Sequence, residues 1–235
     1  MTHASSLITM TAGRADGAGR GSQRPAAGAR RLTACGAVAG PLFVIAVVAQ
    51  ALIRPGFTLT RDAASLLDDG PWGWVQSLNF IVTALLFAAA AAGLARLRPT
   101  GPGRTWISRL LAVAGAGLAG GGIFHPDPSG GYPPGTHPGA SAVSSWHGVL
   151  HEVSGSAAFL ALIVICCILA RRFRTRGRRV AAVCSAAAGA ACAAGVASGG
   201  TPHGSLTLFI GVSVALLWIA LSTAGCVVLE DRGPS

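Results

Sequence analysis

Two histidines and a glutamate lie close together in the stretch SSWHGVLHEVSG, residues 144–155. His147 and His151 are four residues apart, so on a helix they share one face, one turn apart. Two imidazoles at this spacing can bind one metal ion, as the helical histidine pair of zinc hydrolases does. Glu152 follows the second histidine and points roughly a quarter-turn away, which differs from that motif. The stretch therefore predicts a candidate zinc site, with Glu152 as a candidate proton-transfer group.

A catalytic zinc site also needs a third protein ligand and an open position for water. Candidate third ligands stand next to the ends of other apolar segments: His125, Asp127, His203 and Asp62. Asp127 is also the second candidate for proton transfer. Zinc is accordingly the candidate cofactor of this interpretation.

An alternative interpretation of the same residues needs no metal. Glu152 lies about one turn inside an apolar segment, where a charge costs roughly 2.5–3.5 kcal/mol on insertion scales. Pairing with Arg54, Arg61 or a histidine would lower this cost. A glutamate with histidine neighbours is typical of a proton relay, or of a pocket for a polar headgroup or a small solute. This interpretation predicts a transporter or a ligand-binding membrane protein.

Amide side chains extend the candidate pocket. Gln76, Asn79 and Thr83 are spaced so that they share one side of a helix. We expect Gln76 and Asn79 to line the pocket together with Arg54 and Asp62.

A third alternative gives these polar residues a structural role alone. Ser144 or Ser145 can cap the helix that carries the histidines, and polar residues at helix ends often only hold loops in place. In this interpretation His137 is exposed, and the charges of the loop before the second span are solvated: Arg61, Asp62, Asp68 and Asp69.

The elements that must position these residues are membrane helices. Only 11% of the 235 residues are charged, whereas about 25% is usual in soluble domains. A helix needs roughly 20 apolar residues to cross the hydrocarbon core. Six segments meet or approach that length: 32–53, 75–95, 107–124, 149–170, 180–198 and 206–229. The fold class is therefore predicted to be all-α, a six-transmembrane-helix bundle, in which the Gly- and Ala-rich third and fifth spans pack closely.

The arginines predict how the bundle is oriented. All 18 basic residues are arginine, and only Arg54 and Arg61 fall on the side of the membrane opposite the other 16. The positive-inside rule then places both termini in the cytoplasm of a multi-pass protein of the cell membrane. The net charge of +10 thus needs no nucleic-acid partner, and the expected partner is the lipid bilayer, including its anionic headgroups.

The segments outside the bundle are short. Residues 1–31 are rich in Gly, Ala, Ser and Arg and predict a disordered basic cytoplasmic tail, followed by a membrane domain over 32–229 and a second tail over 230–235. The competing interpretation is a signal peptide cleaved after VAQA, but the first apolar segment exceeds the usual ~7–15-residue core.

Several strings resemble a known family. RPGFTLTRDAASLL followed by GWVQSLNF, then GIFHPDP and SWHGVLHEVSG, resemble the bacterial and archaeal multi-pass membrane family called domain of unknown function 998, over roughly residues 32–228. The resemblance implies an integral membrane protein and no particular activity. His125 stands where relatives are expected to have proline after Phe124. If the family's site uses that segment, its chemistry is expected to differ here.

Taken together, the sequence predicts an integral membrane protein with an outward-facing His/Asp/Glu pocket. The pocket would bind or move a small solute or a lipid headgroup. The alternative is a metal-dependent hydrolase that acts on a lipid or lipid-linked substrate at the outer leaflet.

Overall fold

The computed structural model describes residues 27–97, 104–137 and 144–231, and of residues 226–231 the backbone alone. This part of the chain forms six α-helices, a short 3₁₀ helix over Ala64–Asp68 and no strand. The α-helices are α1 (Ala27–Ile53), α2 (Gly73–Arg96), α3 (Arg104–Ile123), α4 (Trp146–Thr175), α5 (Arg179–Ala197) and α6 (Gly204–Asp231). All six are long and apolar enough to cross a membrane, which confirms the predicted fold class.

The structure describes only part of the two segments that were predicted to be tails. Residues 1–26 and 232–235 lie outside the described part of the chain. The predicted N-terminal tail runs to residue 31, but α1 already begins at Ala27. The last five residues of that segment therefore continue the first membrane helix instead of belonging to a tail.

The helices form a closed ring in chain order. Each helix packs against the next, and α6 packs back against α1. α5 bridges α4 and α6, which contact each other only sparsely. We call the line along which α4 and α6 meet the α4–α6 seam, and the packing there is loose.

Glycines bring neighbouring backbones together in this ring. A Cβ on Gly40 of α1 would lie 2.5 Å from the carbonyl oxygen of Leu216 on α6. On Gly117 of α3 it would lie 2.5 Å from the carbonyl oxygen of Ser154 on α4. Such close approach is how helices associate in lipid, where burial of apolar surface gives little driving force.

The outer surface of the ring is apolar and its two ends differ. Large exposed apolar side chains cover the helices, as expected for contact with lipid: Ile45, Leu85, Leu160, Val183 and Leu221. We call the end formed by residues 54–72, 124–137, 144–145 and 198–203 the polar end. The other end, which carries the connection 171–179 with its six arginines, is the arginine end.

Candidate functional site

The first loop of the polar end is built around a buried carboxylate. Asp62 is 1% exposed and accepts hydrogen bonds from the Thr58 amide at 2.8 Å and from the Arg61 guanidinium at 2.8 and 2.9 Å. The Ser205 hydroxyl donates to the Arg61 carbonyl and so attaches the loop to the start of α6. The prediction that Asp62 is solvated is wrong, because packing of the loop encloses its carboxylate and Arg61 neutralises it.

A second buried carboxylate closes the 3₁₀ helix. Asp68 is 3% exposed, accepts a hydrogen bond from the Ser77 hydroxyl on α2 and lies 2.8 Å from Nδ1 of His125. Burial raises the pKa of Asp68, while Ser77 and His125 oppose that shift. Here too the prediction of a solvated loop charge is wrong, because the end of α3 brings His125 onto the carboxylate.

Asp69 stands beside this carboxylate and is half-buried. Burial, and next the negative charge of Asp68, raise the pKa of Asp69 to about 6. One Asp69 oxygen, Oδ2, is enclosed and has no hydrogen-bond partner in the described part of the chain. Sequence reasoning did not select this aspartate pair, since two acidic residues before a Gly-Pro turn look like ordinary loop charges.

The two histidines of α4 form hydrogen bonds with the end of α3. Nδ1 of His151 lies 2.8 Å from the carbonyl oxygen of Phe124, and Nδ1 of His147 lies 3.1 Å from that of His125. A carbonyl oxygen can only accept, so Nδ1 of each ring carries the proton in these contacts. The two rings therefore satisfy consecutive carbonyls just past the C-terminal end of α3, where helices leave such groups unpaired.

The start of α4 is capped as the sequence predicted, by Ser145. Its hydroxyl accepts a hydrogen bond from the Gly148 amide at 3.0 Å. Asp127 accepts in turn from the Ser145 amide at 2.8 Å and from the Ser145 hydroxyl at 2.5 Å, and these bonds lower the pKa of Asp127. A Cβ on Gly148 would lie 2.1 Å from Oδ2 of Asp127, so a larger residue there would displace the carboxylate from the start of the helix.

These contacts do not assemble a metal site. Within residues 27–97, 104–137 and 144–231, no three His, Cys, Asp or Glu side chains form a group that could hold a metal ion. His203 is exposed at the start of α6, and Asp62 is occupied by Arg61. A zinc-binding histidine commonly donates one ring N–H to a carbonyl oxygen, as Nδ1 of His147 and of His151 does here. The residues described nevertheless do not supply the three protein ligands that a catalytic zinc ion requires.

The predicted amide and arginine residues fasten α1 to α2. The Gln50 amide donates to Oε1 of Gln76 at 2.7 Å, and Asn79 donates to Oε1 of Gln76 and to the Phe43 carbonyl, both at 3.3 Å. Gln76, Asn79 and Thr83 are all buried, which confirms that they share the inward side of α2. Their contacts are those of an interhelical bridge.

Arg54 closes this bridge at the polar end. Its guanidinium donates to the carbonyl oxygens of Leu67 at 2.8 Å and of Trp72 at 2.5 Å, and it approaches Oε1 of Gln50 at 3.5 Å. Arg54 thereby ties the end of α1 to the loop that leads into α2.

A separate cavity of about 130 Å³ lies inside the ring, beside this polar network. Its buried walls come from α1, α2 and α3, and its partly exposed walls come from residues 63–65 and from the first halves of α4 and α6. The mouth of the cavity is therefore at the α4–α6 seam, near the polar end. Four phenylalanines, one histidine and one glutamate stand out in its mostly apolar lining: Phe43, Phe80, Phe159, Phe209, His151 and Glu152.

Of the residues predicted from sequence, the cavity lining contains His151 and Glu152 alone. His151 is buried with its ring edge-to-face against Phe80, at 6.2 Å between centroids. Glu152 is exposed at the mouth and makes no hydrogen bond or ion pair with any residue in the described part of the chain. Thus Glu152 does not pair with Arg54, Arg61 or any described histidine, which are the partners predicted from the sequence.

A comparison with protein families identifies the family of this chain. The model of the family described as "Protein of unknown function (DUF998)" matches residues 37–226, from α1 to α6. No curated protein and no solved structure matches the chain.

Proposed function

The chain belongs to the DUF998 family of proteins, and we propose that it binds a membrane-dissolved amphiphile in the cavity at the α4–α6 seam. One observation carries this proposal: a mostly apolar cavity opens between two lipid-facing helices, with His151 and Glu152 at its edge. An amphiphile would place its apolar part among the phenylalanines and its polar group beside these two residues. Binding sites between the helices of bundles are common in other proteins.

Lateral entry is supported by where the mouth lies. The partly exposed lining residues Phe159 and Phe209 stand on α4 and α6, and the exposed Leu160 and Ile210 follow them directly. These exposed apolar neighbours support entry of the ligand from the lipid phase. Glu152 is six residues into α4, about 9 Å along the helix from Trp146, and is thus close to the headgroup region.

The size of the cavity limits how much of the ligand is enclosed. An apolar cavity of about 150 Å³ takes up one benzene molecule in another protein. The cavity here, of about 130 Å³, has room for a group of similar size. The rest of the molecule would extend along the seam into the bilayer.

The orientation belongs to the same proposal. Arginines concentrate at one end of the bundle, so the positive-inside rule places that end in the cytoplasm and the polar end outside. An alkaline phosphatase reporter should then be active when fused after residue 135 and inactive after residue 175. Activity after residue 175 alone would reverse the orientation.

Photolabelling tests the binding proposal. A diazirine derivative of octanol, illuminated with the protein in lipid vesicles, should label peptides that contain residues 152–159 and 205–212. Gly155→Leu should suppress this labelling, because Gly155 lines the cavity and a Cβ there meets only Phe159, at 3.9 Å. Ser156→Leu is the matched control, since Ser156 is exposed on α4 outside the lining and should leave labelling unchanged.

Either of two results would overturn the proposal. One is wild-type labelling spread evenly over the lipid-facing helices. The other is equal labelling of the Gly155→Leu and Ser156→Leu variants, provided that both elute as folded protein in size-exclusion chromatography. The hydrolase interpretation has no comparable support, because the described residues lack the ligand set on which its chemistry depends.

A further inference from the structure

We infer that the amphiphile taken up at the α4–α6 seam is a cation, a lipophilic ammonium compound whose charged group pairs with Glu152. This inference rests on the proposed function, since it names the class of ligand for the same cavity. It comes from the charges around the mouth and from the aromatic lining.

Glu152 is a carboxylate without a counter-charge among the residues that the structure describes. It stands on a lipid-facing helix at the cavity mouth and makes no ion pair with a described residue. Of the four aspartates at the polar end, Asp62, Asp68 and Asp127 are each bound by a guanidinium, an imidazole or a hydroxyl, and the fourth, Asp69, is not part of the cavity lining. Charged side chains near the hydrocarbon region are costly unless paired, so a cationic ligand would supply what the protein does not.

Among the described residues, no arginine lines this mouth to pair with an anionic ligand. Arg54 is turned toward the carbonyl oxygens of Leu67 and Trp72. Arg61 is paired with Asp62 and also donates to the Gly56 carbonyl. Neither arginine lines the cavity, so a phosphate or sulfate headgroup would face Glu152 without compensation.

The aromatic lining suits an ammonium group. Phe43, Phe80, Phe159 and Phe209 come from four different helices and converge on the cavity, with the rings of Phe43 and Phe80 5.6 Å apart. The negative face of an aromatic ring attracts a cation within about 6 Å, and most strongly where water is excluded. A carboxylate beside several phenyl rings therefore recognises alkylated ammonium groups better than neutral alcohols.

Competition against the photoreactive octanol tests the inference. Octyltrimethylammonium, octanol and octyl sulfate are added in turn to vesicles that hold the wild type, Glu152→Gln or Glu152→Asp. Each competitor is compared between variants in the same lipid, so its partitioning into the bilayer cancels. Glu152→Gln keeps the size of the side chain and removes its charge, and Glu152→Asp retains the charge.

Octyl sulfate should displace the probe at a higher concentration from the wild type than from Glu152→Gln, because the carboxylate repels the sulfate. Glu152→Gln should weaken the ammonium competitor roughly tenfold or more and leave octanol unchanged, because a bond to a charged group contributes on that order. Glu152→Asp should keep most of the preference for the cation.

The failure of this inference differs from the failure of the proposed function. Suppose that the seam is labelled in the wild type and that Gly155→Leu suppresses this labelling. If octyltrimethylammonium then competes equally well in the wild type and in Glu152→Gln, the ligand class is wrong and the binding site stands. Octyl sulfate that competes better in the wild type than in Glu152→Gln would also overturn the inference. No specific labelling of the seam in the wild type would overturn both.

Discussion

The close contact of α3 with α4 at Gly117 predicts a specific loss of stability. In Gly117→Ala the new Cβ would lie 2.5 Å from the Ser154 carbonyl oxygen and 2.9 Å from both Cβ and the amide nitrogen of Ala158. Ordinary contact begins at 3.4 Å, so the two backbones must separate by about 0.9 Å. Overpacking of this kind typically costs about 1–3 kcal/mol, and we expect the free energy of unfolding to fall by that amount.

Gly155→Ala is the matched comparison. Gly155 lies on the facing helix and lines the same cavity, but its new Cβ would meet only Phe159, at 3.9 Å. Both variants replace a helical glycine by alanine, which loses less backbone entropy on folding. This stabilisation of about 0.5–1 kcal/mol is common to both variants. The difference between the two variants therefore isolates the steric effect at Gly117.

Reversible unfolding in lipid–detergent micelles, titrated with sodium dodecyl sulfate, measures this difference. A separation of about 1.4 kcal/mol or more corresponds to a tenfold change in the folding equilibrium and is readily resolved. Equal stability of Gly117→Ala and Gly155→Ala would refute the reasoning. It would mean that α3 and α4 do not approach each other at Gly117.

Three further predictions concern the polar end. The pKa of Asp69 is raised to about 6, so the folded protein binds a proton more tightly than the unfolded chain, and its stability should fall as the pH rises from about 4 to 6. Asp69→Asn should flatten this dependence in chemical unfolding measured across that range, and an unchanged slope would contradict the assignment. Ser145→Ala removes the cap of α4 and should destabilise the protein by about 1 kcal/mol, whereas Ser144→Ala, at an exposed neighbour, should not. Elemental analysis of the purified protein should find no stoichiometric zinc, and zinc that is lost in a His147→Ala, His151→Ala double variant would instead establish a metal centre.

The features that the sequence determined are those set by one segment at a time. The thickness of the bilayer requires about 20 apolar residues in succession, and six segments of the chain can be recognised by that length alone. The cap of α4 is equally local, because Ser145 bonds an amide three residues away. Helical spacing likewise placed Gln76, Asn79 and Thr83 on one buried side of α2.

The tertiary structure decided which polar side chains are buried and which groups they contact. Asp68 looked like a solvated loop charge, and it is buried because His125, 57 residues later, meets it at the end of α3. His147 and His151 share a face as their spacing predicted, but only the position of α3 turns that face toward backbone carbonyls instead of a metal.

The same holds for the cavity. Its walls come from five helices, and no periodicity within one helix shows which phenylalanines will converge. Nor does it show that Glu152 will find no partner among the described residues. The physical reason is that crossing a membrane depends on the length and polarity of a single segment. The surroundings of a side chain, by contrast, depend on how distant segments pack.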